Sequence, residues 1–235
     1  PKHIKREEEL VKRIGSVGTG VGPARVDRVL RSAKTAADEP RLKKYLTNVA
    51  DEVNTAAGKN KNILIEGVQG YGLSLLDHKY YPYVTSQDTT ASQFAADTGI
   101  GPKLVDNIVT VFKVYVSRVG KGPPYKEWSE KVEKKKGISE NGTVSGRKRR
   151  LSDFDPVMAA QAIIANTGNI AAITCIDRLF PGNENVTEYK KLTHGAKEFL
   201  RLIESQIKRK TNRFSSFQII STGPNLQDVI DLRKI

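Results

Sequence analysis

The sequence predicts an α/β fold with a largely parallel central sheet and flanking helices. Three observations predict it. Short apolar runs at 62–65, 109–119, 170–176 and 216–220 alternate with segments of helical period, the order that builds a parallel sheet through helical crossovers. Each run ends in a polar loop, EGVQG, SRVGKG, TCID and STGP, and three of these carry glycine. Ligands of open α/β sheets bind outside the carboxyl ends of the strands, so these loops are expected to converge on one site. The 235 residues show no internal repeat and suit a single domain, 1–235.

The elements follow in order. Residues 5–13 form a short polar helix, and GSVGTGVGP is a glycine loop. Residues 24–36 resume a helical period through Val26, Val29 and Leu30. A helix runs from Pro40 to about Ala57, with Leu42, Tyr45, Leu46, Val49 and Val53 at three- and four-residue steps. Residues 62–65 form a short buried strand, 89–98 a helix stopped by Gly99, and Pro102 opens the next helix. Residues 109–119, rich in Val, Tyr and Phe, form a strand. The Gly-, Lys- and Pro-rich stretch 120–150 is loop with short elements, a length that tends to be functional or mobile. Then come a helix at 155–166, a buried strand at 170–176, a mainly helical stretch at 187–207 and a last strand at 216–220.

Composition narrows the function classes. The formal net charge is +13, which points to anionic partners. The basic clusters lie at 134–136, 147–150 and 208–213 without interleaved aromatics, so no base-stacking platform is present and nucleic acid is not expected as a partner. No apolar run spans a bilayer and the opening residues have no apolar signal core, so neither membrane nor export is expected. One cysteine, Cys175, and three histidines exclude an internal disulfide and zinc-finger spacing, and fit a cytoplasmic protein. The chain opens on Pro1 rather than methionine, and an upstream section is expected.

The loops suggest chemistry. GSVGTGVGP lacks the third glycine of a dinucleotide fingerprint and the Gly-Lys-Ser/Thr of a P-loop. It is a structural loop or a set of backbone N–H groups offered to an anion. SGRKRR is a solvated basic patch or a flexible set of forks for carboxylate and phosphate. Asp177 in TCID is a helix N-cap, or a carboxylate able to accept the N1 and N2 hydrogens of guanine.

In order, the stretches IGSVGTGVGPARVDRVLR, EGVQGYGLSLLDHKYYPYVTSQDTT, GIGP, SRVGKGPP, SGRKRR, TCID and QIISTGP resemble the adenylosuccinate synthetase family, in its short archaeal form. The resemblance covers nearly the whole chain. It implies ligation of L-aspartate to IMP with GTP, Mg²⁺ as cofactor, and a homodimer. Gln69 would hydrogen-bond hypoxanthine, Thr85 would meet the 5′-phosphate and Val119 the ribose, and Arg31 would reach the partner subunit's IMP. Thr143, Val144, Ser145, Gly146, Arg147, Lys148 and Arg149 would form the aspartate loop, with Arg147 also at the ribose and Arg149 at the nucleotide phosphates. Asp177, with Cys175 and Ile176, would read guanine, cradled by Ser221, Thr222 and Gly223.

The chain also departs from the family pattern. Val17 stands where the family has a phosphate-binding threonine, Cys175 replaces a lysine, and Ser145 replaces a threonine. No GDEGKG-type phosphate loop is present, and His3, His78 and His194 match no catalytic histidine. The resemblance therefore implies the C-terminal two-thirds of an enzyme, with sheet strands, Mg²⁺ ligands and general base on a missing N-terminal section and residues 1–235 inert alone. Two other readings stand beside it: a family relative acting on dGMP, and a basic nucleic-acid-binding module.

Overall fold

The structure, a computed structural model, describes residues 2–77, 79–122, 126–143 and 145–233. Its contacts form two compact units, residues 1–106 with 120–122, and residues 107–119 with 123–235. Each is described by itself.

The first unit is helical and polar in its packing. Helices α1 (Lys2–Ile14) and α2 (Val21–Val29) pack together around buried Asp27, which takes Arg6 Nη1 at 2.6 Å and His3 Nε2 at 2.9 Å. His3 is therefore structural. Helix α2 ends at Val29 rather than Ala36, because Leu30 and Arg31 turn the chain and Arg31 takes φ 60°. The helix expected from Pro40 is broken. A 3₁₀ stretch, Pro40–Tyr45, stops short, and Asn48 caps a separate α3 (Val49–Gly58), its side chain accepting from the Asp51 N–H. Residues 62–65 pair with no strand among the described residues, and Leu64 is 91% exposed. An apolar triplet alternating half-buried and exposed has the period of a strand but needs a neighbour to become one. Helix α4 (Ala91–Thr98) ends at Gly99 in the left-handed region as expected, but Pro102 opens only a 3₁₀ turn. Asn54 clamps that turn, donating to Gly99 O and accepting from Gly101 N.

The second unit holds the contiguous apolar core. The expected strand 109–119 is two strands. Strand β1 (Val109–Lys113) and β2 (Tyr115–Arg118) part at fully buried Val114 and enter different sheets. Stretch 120–150 contains α5 (Glu130–Lys136), and β3 (Arg150–Asp153) follows it, antiparallel to β2. Helix α6 (Pro156–Asn166) starts at Asp155, whose carboxylate accepts from the N–H groups of Val157 and Met158. Strand β4 (Ile170–Thr174) leads into the short α7 (Ile176–Leu179), and α8 (His194–Lys208) starts at its N-cap Thr193. Strand β5 (Ile219–Ser221) is joined by β6 (Val229–Asp231), which sequence reasoning missed.

The main sheet runs β1-β4-β5-β6, parallel except for β6, with Ile173 opposite Ile220 and Ile220 opposite Ile230. The largely parallel α/β expectation holds. Helix α6 packs on β1 and α8, and Ala196, Leu200, Ile203 and Ile207 form the buried stripe of α8. Of the four loops expected to converge, TCID after β4 and STGP after β5 leave the parallel sheet; SRVGKG follows β2 in the two-stranded sheet, and EGVQG follows no strand among the described residues. Strand β1 forms one edge, and its Val111 is 64% exposed.

Two outcomes follow. Ile203→Ala should cost about 2–5 kcal/mol, as cavities in well-packed cores do, seen as a lower urea midpoint at unchanged m-value. The Arg6 guanidinium first, then His3, hold Asp27 at about 2, below its ordinary 3.8. A carboxyl lowered on folding stabilises above 3.8 and loses that contribution as pH falls toward 2. Hydrogen-exchange protection of α1 should therefore fall over that interval, and Asp27→Asn should remove the dependence.

Candidate functional site

In the first unit the glycine loop is held by one carboxylate. Buried Glu7 accepts from Ser16 Oγ and from the Gly20 N–H. Gly20 is left-handed at φ 85°, and a Cβ there would lie 2.9 Å from the His3 side chain, so the position needs glycine. Val17 is exposed between these anchors. Arg31 is exposed too, its guanidinium donating to Val29 O at 2.6 Å.

The loop after Glu66 folds back on itself. Thr85 N donates to Leu73 O at 2.7 Å and Leu75 N to Gln87 O at 2.9 Å. Thr89 Oγ1 donates to Gly70 O, and Asp88 binds Ser74 Oγ, Thr89 N and Thr90 Oγ1. Gln69 stands at the root of this loop with φ 60°, exposed, its Oε1 3.4 Å from Gln87 Nε2. A non-glycine residue in that backbone region is strained. Gln69 and half-buried Thr85 thus belong to one closed loop, although no buried strand delivers it. His78 lies outside the described residues.

In the second unit the basic stretch is a hairpin. Gly142 N donates to Arg147 O at 2.8 Å, Gly146 N to Gly142 O at 2.8 Å, and Arg149 N to Glu140 O at 2.8 Å. Gly146 makes the turn at φ 63° with open space around it. Ser145 Oγ accepts from Arg147 N at 3.4 Å, Thr143 is exposed, and Val144 lies outside the described residues. Lys148 is exposed, its Nζ 2.7 Å from buried Glu133, and Arg147 and Arg149 are half-buried along the hairpin. A Cβ on Gly142 would sit 3.7 Å from a Val119 methyl, so Val119 flanks the hairpin.

The hairpin is fixed at its base by Glu140, 9% exposed, which sequence reasoning missed. Its carboxylate accepts from Tyr115 Oη, Ser117 Oγ and Arg178 Nη1, each at 2.6 Å, and from Lys113 Nζ at 3.0 Å. Burial alone would raise its carboxyl pKa, but the bonds from Ser117, Tyr115 and Lys113 outweigh it and hold it at about 2. Burial, then the bond to Glu140, pushes the Tyr115 phenol well up. A glutamate two residues before Gly-Thr-Val carries no distinctive sequence signal; only the fold reveals its partners.

Arg178 neighbours Asp177 on α7. The N-cap of α7 is Cys175, in the left-handed region at φ 67°, so Asp177 stands inside the first turn and the N-cap reading fails. Its half-buried carboxylate makes no hydrogen bond or ion pair among the described residues. Ile176 is fully buried, backbone included, and packs beneath Asp177. Helix α7 packs on β5, which ends in Ser221. Beyond it, Thr222 is also fully buried, its hydroxyl donating to Val186 O at 2.8 Å, so it braces the turn from within. A Cβ on Gly223 would lie 2.5 Å from buried Asp228, so that position admits only glycine. Asp177, the 221–223 turn and the base of the hairpin therefore gather at the carboxyl ends of β4 and β5.

No helix among the described residues is long and apolar enough to cross a membrane. Residues 32–183 match the family model described as adenylosuccinate synthetase. The adenylosuccinate synthetase of Methanosphaera stadtmanae is 45% identical over 235 residues, covering 99% of this chain and 67% of that protein. That of Archaeoglobus fulgidus is 47% identical over 237 residues, covering 100% and 68%. The chain thus spans about two thirds of the length of these relatives. Among solved structures, fully ligated adenylosuccinate synthetase from Plasmodium falciparum superposes with a TM-score of 0.81 at 22% identity, over 97% of this chain and 74% of that one. Cyanophage S-2L succinoaminodeoxyadenylate synthetase, bound to dGMP and dATP, gives 0.75 at 23%, over 99% and 66%. These two likenesses concern the fold. Near-complete coverage at more than two-fifths identity, together with the family match over residues 32–183, makes the chain a member of the adenylosuccinate synthetase family.

Proposed function

We propose that this protein serves GTP-dependent ligation of L-aspartate to IMP, giving adenylosuccinate, GDP and phosphate. One observation carries the reading beyond family membership. At one end of the sheet, Asp177, whose carboxylate has no hydrogen bond or ion pair among the described residues, precedes Arg178, which binds Glu140 at the base of the hairpin bearing Arg147 and Arg149; a carboxylate and two arginines are the groups needed to read guanine and hold anions.

The γ-phosphoryl of GTP passes to O6 of IMP, which turns a poor leaving group into a good one. The aspartate amine then attacks C6, the C6–O bond breaks, and phosphate leaves. The residues of this chain bind and orient. Gln69 takes the hypoxanthine edge and Thr85 the 5′-phosphate, with Val17 lining the phosphate loop through its backbone. Val119 packs on the ribose, and Arg147 forks onto the aspartate carboxylate and ribose. Arg149 neutralises nucleotide phosphates as charge develops. Asp177 accepts from the guanine N1 and N2 hydrogens, and Ser221 and Gly223 shape the base pocket, braced from within by buried Ile176 and Thr222. Lys148, paired with Glu133, orients the hairpin and adds positive charge to the aspartate subsite.

Mg²⁺ belongs to the reading as a partner of the GTP phosphates. No three His, Cys, Asp or Glu side chains among the described residues come together as a metal-binding group, so no step is derived through it. The reading further includes a homodimer, in which exposed Arg31 reaches the partner's IMP, and a cytoplasmic setting.

Asp177→Ala should raise the KM for GTP with little change for IMP. Each charged hydrogen bond removed costs about 1.5–3 kcal/mol, so preference for GTP over ATP should shrink by roughly tenfold or more per bond. Adenylosuccinate formation by the natural protein with either nucleotide measures this, and an unchanged preference removes Asp177 from the base site. Arg147→Leu should cut kcat/KM for aspartate on the order of a hundredfold, with a smaller effect on GTP. Normal aspartate kinetics in that variant would return the hairpin to a solvated basic patch.

A further inference from the structure

We infer that Glu140 is a positioning residue that couples the aspartate subsite to the guanine subsite; this rests on the function proposed above. The carboxylate touches neither expected ligand-binding group. It touches what holds both. Its backbone carbonyl accepts from Arg149 N at 2.8 Å, closing the base of the arginine hairpin. Its side chain takes Arg178 at 2.6 Å, and the adjacent Ser139 carbonyl accepts from the same guanidinium at 3.3 Å. Arg178 follows Asp177 directly on the short helix α7.

The same carboxylate is anchored to the sheets. Lys113 stands at the end of β1, and Tyr115 and Ser117 on β2. One buried anion thus receives two cations and two hydroxyls from three elements and a fourth link through the hairpin backbone. A helix of four residues has little rigidity of its own, because one turn fixes several torsions for very few internal hydrogen bonds. The placement of Asp177 then follows from Arg178, and that of Arg178 from Glu140. Movement of the hairpin when an anion binds between Arg147 and Arg149 is transmitted to α7 through the same pair. Coupling of this kind is carried by a contiguous hydrogen-bonded network.

The test compares three substrates in the natural protein bearing Glu140→Gln, which keeps the shape and removes the charge. The expected result is a rise in KM for both aspartate and GTP, on the order of ten- to a hundredfold, since a displacement of about 1 Å at a binding group can cost that much. KM for IMP should rise less than either, because Gln69 and Thr85, which the proposal places on its base and phosphate, do not touch Glu140. A uniform loss across all three substrates, or no change in any, overturns the proposal. If Glu140→Gln fails to fold, Arg178→Gln severs only the link to α7 and leaves Lys113, Tyr115 and Ser117 on the carboxylate. It should raise KM for GTP and lower the discrimination against ATP, and normal GTP kinetics there overturns the coupling. The two readings separate cleanly. If Asp177→Ala and Arg147→Leu show their selective defects but Glu140→Gln does not, coupling fails and the function stands. If none of these variants is selective, both fall.

Discussion

The buried carboxylate of Glu140 is the constraint around which the ligand end of the second unit is organised. A charge taken out of water is tolerated only when it is paired and fully hydrogen-bonded. Glu140 meets that condition with Lys113, Tyr115, Ser117 and Arg178. Because these come from β1, β2 and α7, satisfying one anion fixes the ends of two sheets and a short helix together. The hairpin grows from the same residue, so a segment crowded with Arg147, Lys148, Arg149 and Arg150 has a defined base before any ligand arrives.

The same logic recurs through a chain of net charge +13. The few buried acids each hold a loop. Glu7 ties the glycine loop, Asp27 joins α1 to α2, Glu133 takes Lys148, and Asp228 packs under the turn at Gly223. Behind the basic or N–H-rich loops of this chain lies an acid. The arrangement offsets like-charge repulsion on the protein side while the outer face stays positive, as the proposed nucleotide and carboxylate ligands require.

Much of this was legible in residue order. Alternation of apolar runs and helical periods implied a largely parallel sheet, and the sheet β1-β4-β5 is parallel. The helix at Pro156 and the strand at Ile170 announce themselves through an N-cap aspartate and a continuous apolar run. The failures have identifiable causes. Residues 62–65 had the composition of a buried strand but found no pairing partner among the described residues. The run 109–119 looked continuous because composition cannot register a change of sheet at Val114, which only the pairing of Lys113 with Thr174 and Tyr115 with Asp153 makes visible. The helix α5 was hidden in a run of lysines and glutamates that lacks an apolar stripe, and β6 was too short to give a period.

At the site, local sequence determined which chemical groups are available: the arginines of SGRKRR, the carboxylate of TCID, and the glycines of the turns. Glycine at 20, 146 and 223 follows from backbone angle or close approach, constraints that leave a direct trace in sequence. Which group faces a ligand was decided only by the tertiary structure. Lys148 is turned to Glu133, Thr222 and Ile176 face the core, and Asp177 has no internal partner among the described residues. Glu140 is the extreme case. Its four side-chain partners lie 23 to 38 residues away in sequence, so no local pattern marks it, and its role exists only because the fold brings β1, β2 and α7 to the same buried point.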